Sequence, residues 1–266
     1  MEVYLGTGGY SNDDWLGKLY PQGTKSSDYL SIYAQHFNAV ELNSSFYAIP
    51  GLKAFEGMVR KSEAKVRFAV KLNKVMTHDR KADAELYKRM LESVQPLRDA
   101  GMLGPFLAQF PYSFHRTPEN RKYLASLVEH FKEERLAVEF RNQAWDIEEV
   151  RESFREMGLI YVSVDYPQVS GMPAPQLYLT ADTAYLRMHG RNEKNWYGGD
   201  SAAERHDYLY DKDELREWVT DILARQEELA QVYIMMMNTT KGHALKNLAT
   251  LKTLFEEGGV EVATNP

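Results

Sequence analysis

The chain has 266 residues and no cysteine, which excludes disulfides and thiolate metal sites alike. It has no apolar run approaching the roughly 20 residues a membrane helix requires. The opening stretch "MEVYLGTGGY" carries neither a basic n-region nor an apolar h-region. No secretory signal is therefore expected, and the chain reads as soluble and cytoplasmic, with no membrane partner. Positive charge is in deficit: 32 Lys and Arg against 38 Asp and Glu leave a net charge of -6. Phosphate backbones are then repelled at long range, which argues against nucleic acid as the partner. GxGxxG, P-loop, HxH and HExxH spacings are all missing, so the glycines of "GTGGY" read as permitting a tight turn rather than cradling a phosphate.

What the chain does have is a repeated alternation. Short apolar runs begin at Val3, Ala39, Arg67, Gly104, Arg135, Ile160, Ala184 and Gln231. Between them lie segments of helical period, such as Thr117 followed by Pro118 and then apolar Tyr123, Leu124, Leu127, Val128 and Phe131. That order predicts a helix with Thr117 as N-cap and Pro118 in its first turn. A βα order repeated about eight times predicts a parallel sheet. With right-handed crossovers and a chain near the roughly 250 residues of such folds, it predicts one closed α/β TIM (β/α)₈ barrel domain over 1–266. Two connections are long: "PQVSGMPAPQLYLTAD" from Pro167, and "RNEKNWYGGDSAAERHDYLY" from Arg191. The second suggests a lid over about 190–210.

Sorting each strand by parity separates two faces. One collects Val40, Leu42, Phe68, Val70, Phe106, Ala108, Val138, Phe140, Val162, Val164, Tyr166, Leu186, Met188, Tyr233 and Met235, and suits packing under helices. The other collects Glu41, Asn43, Ala69, Lys71, Leu107, Gln109, Ala137, Glu139, Arg141, Ser163, Asp165, Tyr185, Arg187, His189, Ile234, Met236 and Asn238. On most strands this second set turns from small or apolar to polar toward the C-terminal end, where barrel active sites lie. A buried ion pair gains roughly 4 kcal/mol at 4 Å and an effective dielectric near 20. Desolvation costs several kcal/mol per ion, so stability alone would favour Val or Leu there. The expected use is a ligand site, with a purely structural salt-bridge network as the competing explanation.

Seven stretches, "LGTGGY", "VELNSSFYAIP", "FAVKLNKVMTH", "LAQFPYSF", "VEFRNQAW", "YLRMHGR" and "MMMNTTKGHALKNLATL", follow in order along nearly the whole chain. Together they resemble the YecE-like family, a domain of unknown function (DUF72). The resemblance implies a TIM barrel and supplies no activity. The family pattern usually has Ser where Gly8 stands, His where Asn142 stands, and an Asn pair where Asn238 precedes Thr239.

Glu139, Asp165 and His189 are the catalytic candidates. Asp165 is expected beside Glu139 on the adjacent strand, so that two carboxylates push their protonation apart. Lys71, Arg141 and Arg187 converge as cations suited to an anionic ligand. Glu41, Asn43, Gln109 and Asn238 join them as ligand-binding candidates, the three amides as orienting groups, with charge balance against Glu41, Glu139 and Asp165 as the competing use of the cations. His78 is a further rim candidate, and Trp15, Tyr47, Trp145 and Trp196 are candidates for stacking on a ring. No cofactor is called for. A divalent metal on Glu41, Glu139, Asp165 and His189 is chemically adequate, but the neighbouring cations oppose it. The expected protein is an enzyme, a hydrolase, lyase or isomerase, acting on a small polar anionic molecule such as a sugar phosphate. The alternative is a barrel that binds a ligand or nucleic acid without turnover. Oligomeric state is left open.

Overall fold

The computed structural model describes residues 1–198 and 201–262. Its strands are β1 (Glu2–Thr7), β2 (Ala39–Leu42), β3 (Arg67–Lys71), β4 (Leu103–Gln109) and β5 (Leu136–Glu139). They continue as β6 (Ile160–Tyr161), β7 (Ser163–Asp165), β8 (Thr183–Met188) and β9 (Gln231–Met236). All pair in parallel, in the order β6-β5-β4-β3-β2-β1-β9-β8-β7. Because only Val162 separates β6 from β7, the first piece pairs with β5 and the second with β8. That single broken strand brings the ring round into a near-closed TIM-like barrel with eight strand positions.

Local chemistry starts the helices where the pattern expects them. Thr117 accepts from the Asn120 N–H at 3.2 Å, and the helix Pro118–His130 buries Leu124, Leu127 and Val128 against the strands. The helix Lys212–Ala224 opens with a reciprocal cap: the Asp211 side chain takes the Glu214 N–H, and the Glu214 side chain takes the Asp211 N–H. It buries Leu215, Trp218, Val219 and Ile222. Two apolar layers lie between strands and helices. A third fills the barrel itself, with Tyr4, Ala69, Leu107, Ala137, Tyr185 and Tyr233 among its members.

That interior core corrects the parity reading on two strands. On β2 to β5 and on β8 the polar set does point inward. On strand six, Ile160, Val162, Val164 and Tyr166 fill the barrel, and on β9 Tyr233 and Met235 do. Register shows the same: Val164 pairs with Arg187, whereas Asp165 pairs with Met188, a residue of the outer layer. One physical reason lies in the segment 166–182, which carries no helix of its own. An irregular backbone lies there instead and needs partners. Ser163 Oγ accepts from the Tyr178 N–H at 2.8 Å, and Thr180 Oγ1 accepts from the Tyr161 N–H at 2.9 Å. Polar residues on this strand therefore serve the outside.

Candidate active site at the barrel mouth

The C-terminal ends of β2, β5 and β8 bring Glu41, Glu139 and Arg187 together, each at most 1% exposed. Arg187 donates Nε and Nη2 to the two Glu41 oxygens at 2.9 and 2.8 Å, and donates Nη1 to Glu139 Oε2. Tyr185 Oη donates to Glu41 at 2.9 Å, and Tyr166 Oη donates to Glu139. Arg141 Nε completes the set at 3.3 Å from Glu139 Oε1. Burial opposes ionisation of Glu139, but the Arg187 and Arg141 guanidiniums outweigh it and hold the carboxyl at about 2. Burial, then the Glu139 charge, pushes the Tyr166 phenol well above its ordinary range. Glu139 is thus a fixed anion, and Tyr166 a fixed donor.

Histidines around this network are held neutral. Burial first, then the Arg187 charge, drives His189 well below the usual range. His189 Nε2 lies 3.3 Å from Arg187 Nη1, a donor, so Nε2 accepts and Nδ1 carries the hydrogen. Nδ1 is buried and has no partner among the described residues. Burial and the Lys71 charge lower His78 to about 4, and burial lowers His206 likewise to about 4.

Above the network lies a cleft of about 240 Å³, walled by His78, Gln109, Arg141, Met172, Trp196 and Arg205. Exposed Tyr112 and Tyr197 stand at its edge. Both long connections contribute to it, Met172 from the first and Trp196, Tyr197 and Arg205 from the expected lid; positions 199 and 200 of that lid lie outside the described residues. Arg205 packs over the Trp196 ring at 5.7 Å. Lys71 is 9% exposed, with Nζ 4.6 Å from the centre of the Phe46 ring. Burial, and then Arg187, lowers its amine to about 8.

Several expected members stand elsewhere. Asp165 turns to the helix layer, where Arg191 grips it at 2.8 and 3.0 Å and Trp218 Nε1 donates at 2.7 Å. It is not the partner of Glu139, and the expected carboxylate pair does not form. Asn238 also faces outward, donating to Tyr208 O and Asn247 Oδ1 at 2.8 and 2.9 Å. Asn43 is half-buried, behind Gly8. Trp15 and Trp145 are buried in the outer layer, and Tyr47 is exposed. Losing Asp165 also breaks the metal set: among the described residues no three His, Cys, Asp or Glu side chains converge, and Arg187 holds both remaining carboxylates. Tyr166 and Tyr185 escaped the candidate list. Tyr185 had the inward parity that would have found it, whereas Tyr166 was hidden by the reversed strand.

The family model described as a protein of unknown function, DUF72, matches residues 4–266. The chain belongs to this family. A DUF72 crystal structure from Thermotoga maritima superposes with a TM-score of 0.88 at 35% identity, covering 96% of this chain and all of that one. A second, from Enterococcus faecalis, gives 0.86 at 26% identity over 99% and 98% of the two chains. The UPF0759 protein YunF of Bacillus subtilis is 29% identical across 92% of each chain.

Within this DUF72 barrel the departures at Gly8 and Asn142 have local accounts, and nothing in the structure explains the one at Thr239. A Cβ at Gly8 would meet the Met237 methyl at 2.3 Å, so that methyl fills the space a serine needs. Asn142 caps the Ala144 N–H at 3.0 Å and donates to Tyr112 O at 2.9 Å.

Proposed function

We propose that the barrel mouth binds a small anionic substrate, carrying a carboxylate or phosphate, and acts on it there. One observation carries this reading. Three cations, Lys71, Arg141 and Arg187, accompany two buried carboxylates, Glu41 and Glu139, in a cluster that reaches the cleft through Arg141. With the histidines neutral, one positive charge is uncompensated. Arg205 on the cleft wall, without a carboxylate partner among the described residues, adds a second. An anion about 4 Å from one such cation gains roughly 4 kcal/mol at an effective dielectric near 20. The partnerless His189 Nδ1–H supports the same reading, since a buried donor costs about 1–3 kcal/mol until an acceptor meets it.

The roles divide accordingly. Arg141, about a quarter exposed, reaches the ligand, while Arg187 and Glu139 position it from behind. A carboxyl held at about 2 does not donate a proton near neutrality, so the acid–base role first considered for Glu139 becomes a positioning one. His78, neutral on the cleft wall with Nδ1 engaged by Thr77 Oγ1 at 3.0 Å, is a further hydrogen-bonding group for the ligand.

Calorimetric titration with inorganic phosphate tests this directly. Arg141→Gln is expected to weaken binding at least about tenfold, equivalent to about 1.4 kcal/mol. Unchanged affinity in that variant, or no heat with phosphate or small carboxylates in the native protein, would remove the anion site.

A further inference from the structure

We infer that Lys71 is an amine nucleophile that forms a Schiff base with an aldehyde or ketone carrying an anionic group, bound in the mouth. This rests on the anion reading above and goes further, naming the reacting atom and the carbonyl chemistry of the substrate. Three features of the fold carry it. Lys71 ends β3 with its side chain inside the barrel, where register places Lys71 beside Leu107 of the interior core. Its Nζ rests on the Phe46 ring at 4.6 Å, and His78, a wall of the cleft, packs edge-on against the same ring at 4.8 Å. The amine is thus separated from a residue of the cleft wall by one aromatic ring. Finally, Nζ makes no hydrogen bond or ion pair among the described residues. Several exposed lysines hold carboxylates, as Lys132 does Glu129 at 2.7 Å and Lys212 does Glu257 at 2.9 Å; others, such as Lys25 and Lys122, are also unpaired among the described residues but stand in solvent, whereas Lys71 is buried.

The two carboxylates that would pair with Lys71 are already taken by Arg187. A desolvated lysine beside another cation is the arrangement that frees an amine for carbonyl chemistry. With its amine lowered to about 8, the unprotonated fraction at neutral pH exceeds that of an ordinary lysine by roughly 300-fold.

The step balances without any oxidant or reductant. The Nζ lone pair bonds to the carbonyl carbon, and the carbon–oxygen π pair moves to oxygen. Both amine hydrogens then leave with that oxygen as water, and the C=N bond forms. A proton from solvent on the imine nitrogen restores the positive charge that Lys71 supplied. The anionic group of the substrate meanwhile sits on Arg141.

The full chain is incubated with glyoxylate and sodium borohydride, which adds hydride to the imine carbon and fixes it as a carboxymethylated lysine. Peptide mass spectrometry then reads each lysine. Lys71 is expected to carry at least about ten times the label of any other lysine. Excess inorganic phosphate should suppress that label, and Lys71→Arg, checked by its melting curve, should abolish it. Phosphate binding without preferential label on Lys71 overturns the Schiff base and leaves the anion site standing. Preferential label that phosphate does not suppress supports the nucleophile and overturns the anion site.

Discussion

Glu139 and Asp165 are both fully buried carboxylates at strand ends, and arginine holds both. They lie on opposite faces of the barrel wall. Around Asp165 the single cation Arg191 also meets Glu214 at 3.3 Å and Glu217 at 3.8 Å, so negative charge is in surplus. Trp218 takes up further acceptor capacity, and the cluster ties the helix Lys212–Ala224 to its strand. Around Glu139 the surplus is positive, and a cleft adjoins it. Burial and ion pairing are common to both and mark neither as a site. What separates them is the sign of the leftover charge and the presence of room for something to answer it.

The comparison breaks most sharply at Arg187. Arg187→Met strands Glu41 and Glu139 as buried charges, with an expected loss of at least about 3–5 kcal/mol. Urea denaturation measures it, and a loss under about 1 kcal/mol would mean the network contributes little to folding. Acid probes the same network. The Glu139 carboxyl falls from its ordinary 4.5 to about 2, so the folded state favours the ionised form. That contribution, about 3 kcal/mol, is complete above pH 4.5 and lost as pH falls through 2. Glu139→Gln should flatten the acid limb of a stability-against-pH curve over that window. His78 and His206, lowered from 6.5 to about 4, add loss of the same sign between those values as the unfolded chain takes up protons first.

Asp165→Asn sharpens the contrast from the other side. It keeps the shape but removes the charge that Arg191 grips, at an expected cost of about 1.5–3 kcal/mol. Phosphate affinity should stay within about twofold by calorimetry, a change under about 0.5 kcal/mol. A fall as large as that of Arg141→Gln would erase the distinction between the two clusters. The smallest effect has the opposite direction. Lys71 is lowered from 10.5 to about 8, so at neutral pH its protonated form is a buried cost. Lys71→Met should raise stability by about 1–2 kcal/mol while removing an uncompensated charge from the mouth. A lower melting temperature in that variant would show that Lys71 is there for packing.

Much of the wall was legible from residue order. Alternation and caps located the strand positions, and the helix beginning at Pro118 starts where Thr117 and the proline say it should. Inward parity on β2 to β5 and β8 followed from the gradient of small to polar residues. Strand six was not legible, because its alternation is equally sharp on both faces: Val162, Val164 and Tyr166 against Ser163 and Asp165. Sequence reasoning gave the polar face to the mouth. Outside, the irregular segment takes Ser163 while Arg191 and Trp218 take Asp165, and nothing local to "IYVSVDY" announces those neighbours.

Period, capping and composition are properties of adjacent residues, so the chain alone determined a parallel α/β barrel with charged strand ends. Which charges meet depends on register between strands far apart in sequence, and on whether a helix or a bare backbone covers each strand. Only the tertiary structure decided that Arg187 joins Glu41 to Glu139 while Asp165 is turned away. Electrostatic interaction falls with distance in space, and sequence separation does not measure that distance.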